Sequence, residues 1–200
     1  MTKLFPIDIS DCQDIDSIMD KCSRIFQNTI AYPYSRPKLK EREIFVSLDQ
    51  IESKAKIFWH IASIEQKNKD VLPCTNDISV SLCKENCING LDSIRIANEV
   101  REKCIYRATR VNWIKPVLEM YNSTDSRVKY WEKMNSNKKL RLYLRYQEDG
   151  NDYLVIFEHK SEKRVVLITA FPIFYVSCKR DYDKDYKDYE NYEKRKRSEK

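Results

Sequence analysis

Near Asn122–Asp125 the hydrophobic period of this chain changes from helical to alternating. Upstream, apolar residues recur three and four positions apart, the spacing of one helix face. Downstream, Leu140, Leu142 and Leu144 alternate with Arg141, Tyr143 and Arg145, the spacing of a half-buried strand. DYLVIFEHK and RVVLITAF repeat that pattern between the turns EDGND and KSEK, and IFYVS after Pro172 reads as a fourth strand. The order predicts an α+β fold: N-terminal helices, a four-stranded antiparallel sheet and a C-terminal charged helix.

Before the change, DIDSIMDKCSRIFQ reads as a short amphipathic helix through Ile15, Ile18, Met19, Cys22 and Ile25. Pro33 and Pro37 make the following AYPYSRPK a connector. Ile44, Leu48, Ile51, Ala55, Phe58 and Ala62 predict a helix over Glu41 to Glu65, carrying His60 beside Trp59. Ile94, Ala97, Cys104, Ala108 and Val111 predict a second one from Ser93 to Tyr121. Pro116 should force a kink or a fresh helix start near Trp113–Pro116. In the tail, Tyr182, Tyr186, Tyr189 and Tyr192 fall on one helix stripe, expected to dock on the sheet or fray into solvent, with RNA stacking by the rings as the competing role. The resulting division is a helical segment and connector over 1–40, an α+β domain over 41–180 with a cysteine-bearing loop at 66–93, and a charged helical tail over 181–200.

Two hundred residues suit a single core, and 42% of them are apolar. With only two glycines, the chain has neither G-x-G-x-x-G nor G-x-x-x-x-G-K-[ST], which excludes the nucleotide-cofactor and P-loop motifs. It has no run of 18 apolar residues, and its first residues turn acidic where a signal peptide would be apolar. The expectation is a cytoplasmic protein without a membrane partner. Residues 1–105 carry 15 Lys/Arg against 16 Asp/Glu, whereas residues 106–200 carry 22 against 15. A second half so biased is either a solvated lysine-rich surface or one built to meet phosphates.

Cys74, Cys83 and Cys87 lie in the loop, with Cys104 beyond it. Four thiols of this kind either hold a structural zinc or remain unligated. His60 and His159 are the only histidines, and no Ser/His/Asp, Cys/His/Asn or H-E-x-x-H arrangement competes with them. Arg107 and Arg110 lie three apart on one predicted helix face, followed by Lys115. With Arg141 and Arg145 on a strand, they could line a basic groove for phosphates. A different chemistry attaches to Glu158-His159-Lys160, an E-x-K tripeptide preceded by Asp149 and Asp152. In metal nucleases such carboxylates hold Mg²⁺.

RATRVNWIKPVLE, YWEKMNSNKKLRLYLRY, DYLVIFEHK and LITAF, ahead of the charged helical end, resemble phage- and prophage-encoded nuclease-like domains of the barnase–EndoU–colicin–RelE-like (BECR) group. The resemblance covers about Arg95 to Glu193. It implies a metal-independent endoribonuclease or toxin that cuts RNA through the RNA's own 2′-hydroxyl and needs no catalytic cofactor. It further implies RNA held across a sheet face, and an antitoxin or immunity protein as partner. By position it assigns Arg107 and Arg110 to the basic helix and Thr169 to the third strand; His60 is the expected proton-transfer group. Lys115, Arg141 and Arg145 would bind RNA. The competing expectations are a non-catalytic RNA- or protein-binding module on the same fold, and the E-x-K metal nuclease.

Overall fold

The computed structural model describes residues 3–47, 49–65, 92–174 and 176–199. Helix α1, Ile15–Phe26, begins at a reciprocal cap. The Asp14 carboxylate accepts from the Ser17 amide at 2.7 Å while the Ser17 hydroxyl accepts from the Asp14 amide at 3.2 Å. A cap of this type is worth about 1 kcal/mol. Ile15, Ile18, Met19, Cys22 and Phe26 form its buried stripe, as the spacing predicts.

From Leu140 to Pro172 the expected strands form closely as the alternation marks them. Strands β7 (Val128–Met134), β8 (Leu140–Glu148), β9 (Asn151–Ser161) and β10 (Arg164–Pro172) form an antiparallel meander. The sheet has five strands, however, and is mixed. Strand β1, Glu43–Phe45, adds parallel to β10 and gives the order β1-β10-β9-β8-β7. The predicted strand after Pro172 does not form: Ile173 and Phe174 are irregular, and helix α5 already runs from Val176 to Ser198. The missing meander strand is β7, whose polar, lysine-bearing sequence alternates too weakly to stand out.

The helix expected over Glu41 to Glu65 is replaced by several short elements. After β1 comes a hairpin, β2 (Gln50–Ile51) and β3 (Lys54–Ala55), then helix α2 (Lys56–Ala62) and strand β4 (Ser63–Glu65). Glu52 and Ser53 take φ of 46° and 59°, a turn that no helix interior can contain. The helix expected from Ser93 to Tyr121 is likewise broken. Strands β5 (Ser93–Ile96) and β6 (Glu99–Lys103) pair with β4 in the order β4-β6-β5, turning at Ala97 with φ 54°. Helix α3 (Ile105–Ala108) follows, then a 3₁₀ turn, then α4 (Ile114–Asn122). Pro116 sits in the first turn of α4, where its missing amide costs nothing, so the expected fresh start occurs.

Two layers enclose the large sheet. On its first face, Leu142, Leu144, Phe157 and Leu167 share one core with α1, α2, α3 and α4, and the N-terminal Leu4, Ile7 and Ile9 join it. On the second face, α5 lays Tyr182, Tyr186 and Tyr189 over Trp131, Tyr143, Leu154 and Ile156. Trp131 stacks on Tyr143 with ring centroids 5.0 Å apart. None of the described helices is long and apolar enough to cross a membrane.

Candidate functional site

Strand β1 pairs only with Arg164–Val166, so among the described residues the half of β10 from Leu167 to Pro172 has no strand on its outer edge. A bulge lies here: Leu167 pairs with Phe157 and Thr169 with Ile156, leaving Ile168 extra. The added residue keeps both Leu167 and Ala170 in the first-face core. Thr169 and Phe171 turn to the other side, where Phe171 packs with the second-face cluster.

Beside this open half-edge the two layers meet around a cavity of about 250 Å³. Thr169 and Phe171 enter it from β10, His60 from α2, Glu65 from β4, Arg101 from β6 and Arg107 from α3. Cys178 and Tyr182 of α5 complete the lining from the second-face layer, with Pro172, Ile173 and Phe174 between. His60, Arg107 and Thr169, three residues chosen from the sequence, are thus brought together across more than one hundred positions of chain.

Ser63, fully buried at the start of β4, positions both arginines. Its hydroxyl accepts from Arg101 Nε at 2.9 Å, and its carbonyl accepts from Arg101 Nη2 at 3.3 Å and Arg107 Nη1 at 2.8 Å. Arg101 also faces Glu65 at 3.6 Å and Glu99 at 3.5 Å. The Arg107 guanidinium lies 5.2 Å from the centroid of the Phe171 ring, within cation–π range. Burial, then the positive charges of Arg101 and Arg107, push the His60 imidazole down to about 4. His60 is therefore neutral near pH 7, able to accept a proton and disinclined to carry one.

The other sequence-chosen cations go elsewhere. Arg110 does not reach the cavity; it lies 3.4 Å over the Tyr106 ring, donates to the Tyr106 carbonyl at 2.9 Å, and lines a separate pocket across the Pro172–Phe174 wall. The reason is that α3 ends at Ala108, so Arg110 leaves the helical row that would align it with Arg107. Lys115, in the first turn of α4, lines neither pocket. Arg141 and Arg145 form no groove, because α5 covers their sheet face. Arg145 is 1% exposed and holds Asp152 through two bonds at 2.8 and 2.7 Å, with Asp183 of α5 at 2.9 Å. Arg141 meets its cross-strand neighbour Glu158 at 2.9 Å.

The E-x-K carboxylates are similarly committed. Glu158 takes Arg141, Lys139 and Lys160, and the Lys160 bond, then Arg141, holds its carboxyl below the ordinary glutamate range against burial. Asp152 and Glu158 are six residues apart on β9, or roughly 20 Å at strand rise, too far to share one cation. Asp149, in the β8–β9 turn, faces Lys3 at 3.4 Å. Cys74, Cys83 and Cys87, with most of the predicted loop, lie outside the described residues. Cys104 is fully buried just before α3, and among the described residues no group of three potential metal ligands forms.

Arg101, Glu65, Cys178 and Tyr182 escaped the sequence reading. Arg101 stood in a segment read as helix. Tyr182 belongs to the tyrosine stripe expected to dock, and Cys178 lies one helical turn before it; both also border the cavity. No protein-family model, curated protein or solved structure matches this chain.

Proposed function

We propose that the chain is a metal-independent endoribonuclease of the BECR-like, toxin type, cutting RNA through attack of its 2′-hydroxyl on the adjacent phosphate. The convergence of His60, Arg101, Arg107 and Thr169, each from a different element, in one cavity of phosphodiester size carries this reading. Arg107 and Arg101 offer the positive charge that an attacked phosphate accumulates, in a partly water-excluded setting where such charge counts most. In this reading neutral His60 accepts the 2′-hydroxyl proton, and Thr169, on the same cavity wall as Phe171, supplies a hydroxyl to a phosphate or sugar oxygen. No step needs a cofactor. Toxicity to a host cell and a neutralising antitoxin or immunity protein belong to the same reading.

The test is a 5′-labelled single-stranded RNA incubated with pure protein, with and without EDTA. Cleavage should persist in EDTA, leave 2′,3′-cyclic phosphate ends, and spare the all-DNA analogue. His60→Ala or Arg107→Ala should each slow it by ~10²–10³. A second reading, a non-catalytic RNA- or protein-binding module, draws on the engagement of Arg101 by Ser63, Glu65 and Glu99, which commits part of the cavity's positive charge. RNA binding without cleavage under any condition selects that reading.

A further inference from the structure

Cleavage by a 2′-hydroxyl needs two proton transfers on opposite sides of the phosphorus. One group takes the proton of the attacking oxygen, and another supplies a proton to the departing 5′-oxygen. His60 fills the first role. The cavity is built from two layers, and His60, Arg101 and Arg107 all come from the first. The donor should come from the other wall, which α5 supplies through Cys178 and Tyr182.

Tyr182 is the one tyrosine among the residues that line the cavity. Tyr186, one turn further along α5, donates to Glu190 at 3.0 Å; Tyr130 donates to Glu132 and Tyr146 to Glu148. Among the described residues nothing pairs with the Tyr182 hydroxyl, although its ring is held firmly, 6.1 Å from Trp131 and 6.4 Å from Tyr143 between centroids. The side chain is a packed part of the second-face cluster and at the same time lines the cavity. The other lining groups suit the task less well: Glu65 is engaged by Arg101, and Thr169 is an alcohol no more acidic than the leaving group.

On the reading of RNA cleavage proposed above, we infer that Tyr182 is the general acid that protonates the departing 5′-oxygen, across the cavity from His60. The 2′-oxygen bonds to phosphorus as its proton passes to the His60 imidazole. The bond from phosphorus to the 5′-oxygen breaks, and that oxygen takes its electron pair and the phenolic proton of Tyr182. The products are a 2′,3′-cyclic phosphate and a 5′-hydroxyl. Solvent then carries the proton from imidazolium back to phenolate, restoring both groups with no redox change. Burial, with Cys178, Tyr143 and Asp185 facing it and Arg145 opposing them, pushes the Tyr182 phenol up to about 12, so it holds its proton at neutral pH.

The experiment uses two oligonucleotides with a single cleavable ribonucleotide, one ordinary and one with sulfur in place of the departing 5′-oxygen. A thiolate leaves without needing a proton. Wild type should cut both. Tyr182→Phe keeps the ring packing and should melt near wild type; it should cut the ordinary substrate ~10²–10³ more slowly yet the sulfur substrate at nearly the wild-type rate. His60→Ala should be slow on both. Should Tyr182→Phe fail to fold, a difluorotyrosine at 182 should move the alkaline limb of the ordinary rate profile to lower pH; an unmoved limb overturns the inference. Equal losses of Tyr182→Phe on both substrates, or none on either, overturn the acid alone. A wild type that cuts neither overturns the cleavage reading and the acid together.

Discussion

Ser63 holds Arg101 twice, its hydroxyl accepting from Nε at 2.9 Å and its carbonyl from Nη2 at 3.3 Å. The pairing joins β4 to β6 across a position where neither side chain meets bulk water. Ser63→Ala removes the hydroxyl and leaves a buried guanidinium N–H short of its acceptor. Urea unfolding should show a loss of about 1–3 kcal/mol, with a weaker response of the protein to phosphate. An unchanged midpoint would contradict the described arrangement.

His60 provides an electrostatic readout of the cavity. Its folded value, pushed down to about 4, lies below the ordinary 6.5. The neutral form therefore stabilises the fold above pH 6.5, and that contribution is lost as pH falls towards 4. The melting temperature should fall through that window, and less so in His60→Gln. In an NMR titration the imidazole should move up when inorganic phosphate enters and in Arg107→Ala, since either change offsets a positive neighbour. A histidine titrating normally and indifferent to phosphate would falsify this picture of the site.

Arg145 and Asp152 make a buried pair completed by Asp183 from α5. Arg145→Ala leaves the Asp152 carboxylate, itself 7% exposed, without its bidentate partner. The expected cost is about 3–5 kcal/mol in chemical unfolding, whereas replacing both residues with apolar ones of similar size should cost much less. A double-mutant cycle measures the difference. A surface-like loss under 1 kcal/mol would mean that α5 does not seal this face.

Salt dependence distinguishes the cavity from a basic groove. With Arg141 and Arg145 bound to carboxylates on the sheet, RNA entering the cavity meets the cations of its lining, Arg107 and Arg101. The slope of log affinity against log salt should be shallow, on the order of −1 to −2 for a single strand. A slope several times steeper would restore an extended phosphate-binding surface.

Glu158→Ala should leave EDTA-resistant cleavage intact, because its carboxylate serves Arg141 and Lys160 and lies on a face covered by α5. Some stability should be lost, visible as a lower melting temperature. Activity lost together with a metal requirement would favour the E-x-K chemistry.

Local pattern in the sequence determined α1, the three strands from Leu140 to Pro172, the fresh helix start before Pro116 and the tyrosine stripe of α5. Each of these carries its own period or cap, and each packs the face that the period marks. It failed over Glu41–Glu65 and Ser93–Tyr121 because the hairpin turns there use Glu52, Ser53 and Ala97 at positive φ instead of glycine. Without those punctuation marks, apolar residues three and four apart, such as Ile44, Leu48, Ile51 and Ala55, mimic a helix face. Tertiary structure alone decided that β1 would pair with one end of β10, where three residues find a backbone partner far along the chain. It also decided that Arg145 would be buried between Asp152 and Asp183 of α5, and Arg141 paired with Glu158, while Arg107 lined the cavity with His60. The sign and spacing of a charge are local properties; which opposite charge, lid or open strand edge it meets depends on elements distant in sequence, and only packing brings those together.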